Sequence, residues 1–215
     1  PGPEAAQLVA GLEKWDGCLR QELAGVDDGV ELGYSPESGA VDLLSPADQR
    51  IWLASLHAAP HGVRRMSRQV PGVVETSNNL GMVTLAATGG SCNFMVRSLL
   101  DSGSAALADE IVSLFALSGT IAVKAGHYPG WAPNPDSQLL SLCQAVYRRE
   151  FGSDSRVQVI HAGLECGIIG AKYPGLDIVS FGPTIRGAHA PGEAVEIASV
   201  GNCWQLLRAI LAAVE

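Results

Sequence analysis

Three prolines and a glycine crowd into residues 129–135, at Pro129, Gly130, Pro133 and Pro135. Proline lacks the backbone donor that helices and sheet ladders need, so no regular element tolerates that density. The segment from Tyr128 to Asp136 therefore divides the chain, and residues 1–129 and 130–215 are read as separate folding regions.

Upstream, Leu8, Leu12, Trp15, Leu19 and Leu23 recur at helical spacing, and Gly25 follows as a stop. Val30, Leu32 and Tyr34 alternate as a short strand does. Ser45-Pro46 is a helix entry, with Ser45 as the N-cap and Pro46 in the first helical position. Val73 to Ala87 and Ser91 to Leu99 read as two strands turning over Thr88-Gly89-Gly90. Ser104 is the expected cap of a third helix ending at Gly119, and Ile121 to Val123 add a strand. This mixture predicts an antiparallel sheet with helices on one face. Downstream, a helix is expected from Ser137 to about Phe151 and another from Ser199. Strands are expected at Val157 to Ile160 and at Asp177 to Phe181. The solid apolar pair Ile178-Val179 suits a sheet covered on both faces.

Composition removes several classes of function. The 215 residues carry a formal charge of −8, which argues against nucleic-acid binding through the phosphate backbone. The uncharged stretch Ile111 to Val123 is too short to span a bilayer, and Thr76 to Val96 is rich in Asn, Ser and Gly, so no membrane span is expected. Five scattered cysteines, odd in number and without C-x-x-C, fit a reducing compartment better than a disulfide framework. No signal peptide is visible, and the chain opens on Pro1 rather than Met.

Candidate chemistry gathers in the second region. The histidines His57, His61, His127, His161 and His189 form neither H-x-D nor H-E-x-x-H, and no Glu-Glu pair occurs. His161 and His189 each follow an expected strand, where ligand sites of open α/β sheets lie. The glycines Gly163, Gly167 and Gly170 match neither G-x-G-x-x-G nor Walker A spacing. No G-x-S-x-G elbow supports a serine hydrolase. Arg97, within Phe94-Met95-Val96-Arg97-Ser98-Leu99, must snorkel, pair with Asp101 or Glu75, or grip an anion. Arg64, Arg65 and Arg68 read as a solvated basic face.

At these loops the sequence resembles the C-terminal half of dipeptidases in the cocatalytic dizinc peptidase family, which also holds carnosinase, peptidase T and aminoacylase. The matching runs are Gly72 to Ser77, Arg97-Ser98-Leu99 with Asp101-Ser102-Gly103, Tyr128-Pro129-Gly130-Trp131, His161 to Gly167, and Gly182-Pro183-Thr184-Ile185 leading to His189. The resemblance covers essentially the whole chain. It implies an α/β fold: an α+β lid portion over residues 1–129, then the C-terminal part of a catalytic domain with a largely parallel sheet over 130–215. It implies a cytoplasmic zinc peptidase that hydrolyses unblocked dipeptides of the Xaa-His type and self-associates as a homodimer through the lid. His189 matches the last zinc ligand, Arg97 the lid arginine that binds the substrate carboxylate, and Gly163 a backbone contact at the same end; the roles of His161 and Glu165 stay open. The family's H-x-D motif, bridging aspartate, Glu-Glu pair and second aspartate ligand are absent from this sequence. The expectation is a fragment, inactive alone, whose partner is the missing N-terminal half. A non-enzymatic dimerisation or small-peptide-binding module is the alternative. Truncation is expected to leave the Asp177–Phe181 strand short of sheet neighbours.

Overall fold

Residues 3–35, 42–161 and 165–214 are described by a computed structural model. The chain gathers into two compact units, residues 1–43 and 44–215.

In the first unit, helix α1 (Pro3–Glu22) realises the apolar periodicity. Asp16 and Arg20, one turn apart, form an ion pair at 2.7 Å. The other Asp16 oxygen accepts the Leu32 amide at 2.8 Å, which ties back the segment after the helix. The strand expected at Val30 to Tyr34 does not form. No ladder partner is offered among the described residues, and the Leu32 donor is spent on Asp16 instead.

The second unit opens with α2 (Pro46–Ala58), entered as expected: the Ser45 hydroxyl accepts the Asp48 amide at 3.1 Å. Strands β1 (Gly62–Met66), β2 (Val74–Ala86) and β3 (Gly89–Ser98) make an antiparallel sheet in that order. The β2–β3 turn is tighter than the sequence suggests. Ala86 pairs with Gly89, leaving only Ala87 and Thr88 in the loop. β1 carries Arg64 and Arg65, whose charges hid a strand in what reads as a solvated basic face. Both are paired: Arg64 with Glu110 at 2.9 Å, and Arg65 Nε with Glu75 at 2.5 Å.

Helix α3 (Asp101–Leu117) lies on the sheet through Leu107, Ile111 and Phe115, which meet Phe94, Val96 and Ala59. The spacing of four residues puts all three on one stripe. Ser104 is not its cap. The helix begins at Asp101 with Leu100 in the cap position, and the Ser104 hydroxyl donates to the Asp101 carbonyl inside the first turn. Gly119 follows at φ 73°, the left-handed stop that glycine adopts without steric cost. Ile121 to Val123 form no strand and leave Ile121 89% exposed.

After the proline segment, α4 (Gln138–Phe151) is capped by the Ser137 hydroxyl and ended by Gly152 at φ 68°. Next come α5 (Glu165–Lys172), the short hairpin β4 (Ile185–Arg186) with β5 (Ala194–Val195), and α6 (Ile197–Leu211). A second core forms where Cys143 and Val146 of α4 meet Leu206 and Ile210 of α6. Residue 129 thus lies inside the second unit, with a hydrophobic cluster on each side of it.

Mixed helices and sheets give the α/β character expected, yet both sheets among the described residues are antiparallel. Val157–Ile160 and Asp177–Phe181, the strands expected to build a parallel sheet, form no ladder. A strand needs a neighbour for its backbone donors and acceptors, and none of the described segments supplies one. A cleft of about 1230 Å³ opens beside them, lined by Val159, Val179 and Phe181 together with Cys143, Tyr147 and Leu206.

Candidate functional site

The site is built on the middle of the three-stranded sheet. Arg97 of β3 stands directly opposite Ser77 of β2. Directly opposed residues project from the same face. The flanking pairs Thr76 with Ser98 and Asn78 with Val96 project from the other face, where Val96 packs on the α3 core. Arg97 and Ser77 therefore lie on the face turned away from α3.

Both carboxylates that sequence proximity offered to Arg97 are engaged elsewhere. Glu75 is 6% exposed and holds Arg65. Asp101 accepts the Gly130 amide at 2.7 Å. Among the described residues Arg97 forms no salt bridge, which leaves its planar fork of donors for an external anion.

Ser77 has a partner that the sequence does not announce. Its hydroxyl lies 2.7 Å from His161 Nε2, a hydrogen bond joining residues 84 apart in the chain. Burial, and then the nearby Arg97 charge, hold the His161 imidazole below its usual pKa of 6.5, which favours the neutral ring. His61 has a plainer role, accepting the Leu80 amide at Nδ1.

The backbone around this group is clasped at two glycines. A Cβ on Gly130 would run into the Leu99 carbonyl, and one on Gly167 of α5 would lie 2.5 Å from the Pro129 carbonyl oxygen. Gly167 and Gly170, which match no phosphate-loop spacing, lie within helix α5. Glu165 opens α5 and is exposed. Gly163 lies outside the described residues.

His189 occupies the turn between β4 and β5. Its φ is 64°, the sole positive value for a non-glycine residue among the described residues. Its amide donates to the Glu193 carboxylate at 2.8 Å, closing the turn. A non-glycine residue held in this region costs about 1–3 kcal/mol and persists where its surroundings fix it, commonly at functional sites. No hydrogen bond or ion pair among the described residues links His189 to the Arg97 group. Among the described residues no three His, Cys, Asp or Glu side chains gather where they could hold a metal ion. One imidazole does not make a zinc centre, which takes three or four ligands. The residues described do not fit a metal by themselves.

Sequence reasoning missed Ser77 and Glu193. Glu193 could have been sought as an acceptor four residues beyond a histidine in a Gly-Pro-rich turn. Ser77 required the strand register.

With this geometry in view, the fold and sequence ally the chain with dipeptidases. Over its full length it superposes on 44% of the aminoacylhistidine dipeptidase from Vibrio alginolyticus, with a TM-score of 0.83 and 35% identity. It is homologous to the cytosol non-specific dipeptidase of Escherichia coli (strain K12), with 39% identity over 193 residues, covering 90% of this chain and 40% of that protein. The chain thus spans less than half the length of either relative. No protein-family model matches it.

Proposed function

We propose that this chain is a portion of a zinc dipeptidase that carries the arm gripping the substrate's carboxylate and one metal ligand. Arg97 binds the free C-terminal carboxylate of an unblocked dipeptide, of the Xaa-His type, through a bidentate pair, and the Gly163 backbone meets the same end of the substrate. His189 offers an imidazole to a centre whose other ligands and general base are not among these residues. The chain alone is inactive in this reading. The single observation that carries it is the state of Arg97: it forms no salt bridge among the described residues, and the two carboxylates nearest it in sequence are both committed to other donors. Homology to two dipeptidases supplies the substrate class. Residues 1–129 then belong to the lid and 130–215 to the catalytic domain, in a cytoplasmic enzyme; no described helix is long and apolar enough to cross a membrane.

Calorimetric titration of the chain with alanyl-histidine tests the grip. Binding that disappears in Arg97→Ala, and that the C-terminal amide of the same dipeptide lacks, is the expected result. Equal heats from wild type and Arg97→Ala would end this reading.

A second reading rests on the β2–β3 hairpin, where Met82, 62% exposed, and Met95, 53% exposed, project from one face of the sheet. Such a patch suits self-association as a homodimer. Sedimentation at several concentrations checks it, with a dimer expected and a monomer throughout opposing it.

A further inference from the structure

The open question at the Arg97 face is why a serine and a histidine share it. Ser77 lies on the central strand, flanked in register by Val63 of β1 and Arg97 of β3. His161, the last described residue of segment 157–161, meets the Ser77 hydroxyl on this face at 2.7 Å, an ordinary length for a bond between hydroxyl and imidazole. This segment has no ladder to fix it. Among the described residues the bond to Ser77 is its one side-chain hydrogen bond to the sheet. Neither residue carries a carboxylate. An acidic side chain at either position would compete with a ligand for Arg97, whereas a hydroxyl and a neutral imidazole leave the guanidinium charge uncompensated.

We propose that Ser77 and His161 are a positioning pair for the carboxylate grip: their hydrogen bond pins the 157–161 segment to the sheet beside Arg97, so that the guanidinium meets a dipeptide's carboxylate against a fixed, uncharged polar wall. The inference rests on the reading of Arg97 as the carboxylate-binding residue. Removing either partner leaves Arg97 in place but frees the wall, so affinity falls through lost preorganisation rather than lost charge.

The test uses the 215-residue chain with alanyl-histidine as the probe, and ring-nitrogen NMR of histidine-labelled protein as a second readout. Ser77→Ala and His161→Ala are expected to weaken binding about tenfold, the worth of one strong hydrogen bond. Ser77→Thr and His161→Gln, which keep a hydroxyl and a side-chain amide there, are expected to bind nearly as the wild type does. The His161 Nε2 resonance is expected to move in Ser77→Ala. Wild-type affinity in both alanine variants, with binding lost in Arg97→Ala, would overturn the pair and leave the Arg97 reading standing. An unmoved Nε2 resonance in Ser77→Ala would overturn it too, and decides the matter even where His161→Ala fails to fold. No binding by the wild type, or wild-type affinity in Arg97→Ala, would remove the Arg97 reading and the pair with it.

Discussion

Gly167 and Gly201 are both helical glycines, and the structure assigns them opposite consequences. Gly167 lies on α5 with the Pro129 carbonyl where a Cβ would go, and backbone cannot yield as a side-chain tip can. Gly167→Ala is expected to destabilise by about 1–3 kcal/mol, the usual cost of overpacking. Gly201 lies within α6 with nothing within 4 Å of its would-be Cβ. Gly201→Ala is expected to stabilise by up to about 1 kcal/mol through helix propensity. Thermal unfolding of the two variants checks both signs at once. A further residue-scale prediction concerns His161. Its ring is held below 6.5 by burial first and by Arg97 second, so an NMR titration should find its midpoint below 6.5, and Arg97→Ala should raise it. A midpoint unmoved by that substitution would contradict the placement of Arg97 beside the imidazole.

Elements were legible where a local signal sufficed. Ser45 with Pro46, Ser137, and Gly119 and Gly152 marked helix ends from a few residues each, and the ends fall close to where those residues set them. Ser104 misled because a serine inside a first turn can bond back to the helix's own carbonyl as readily as it can cap. The candidate site was less legible for a reason that can be located. Counting back from the two-residue turn along a regular ladder would set Asn78 opposite Arg97. The pairing shifts between Leu80 and Met82, where Gly81 is the extra residue, and Ser77 takes that place instead. A one-residue slip exchanges the two faces of a strand, so this bulge decides which side chain shares a face with Arg97. Capping also reaches across the chain at this scale. Asp177 accepts the Leu139 amide at 2.9 Å and the Ser137 hydroxyl at 2.7 Å, joining the 177–181 segment to the start of α4. Those bonds hold its pKa below the ordinary 3.8. A carboxylate with a depressed folded pKa stabilises the fold above its unfolded value and loses that contribution as pH falls through the folded one. Asp177→Asn is therefore expected to lower the melting temperature near neutrality and to leave it nearly unchanged well below pH 3.8. A drop of equal size at both ends of that range would contradict the capping role.

At the scale of the molecule, the second unit holds two cores that local periodicity could anticipate, on α3 and between α4 and α6. The parallel sheet expected of the later segments does not form among the described residues, because periodicity within one segment does not supply the neighbour that a ladder needs. Val157–Ile160 and Asp177–Phe181 border an open cleft, with Ile160 59% exposed and Phe181 41%. Apolar surface of this kind attracts either a dye or another chain. The purified chain is expected to enhance the fluorescence of a hydrophobic probe such as ANS, or to associate as its concentration rises; an inert monomer would argue that the cleft is closed in solution. In the proposed function, these residues hold a grip for a carboxylate and a single imidazole without the groups that cleave a peptide. That reading is tested most directly by incubating the purified 215-residue chain with an unblocked dipeptide and excess zinc and following release of free amino acids. Binding without turnover is expected; sustained release that follows the chain's concentration would refute the proposed function.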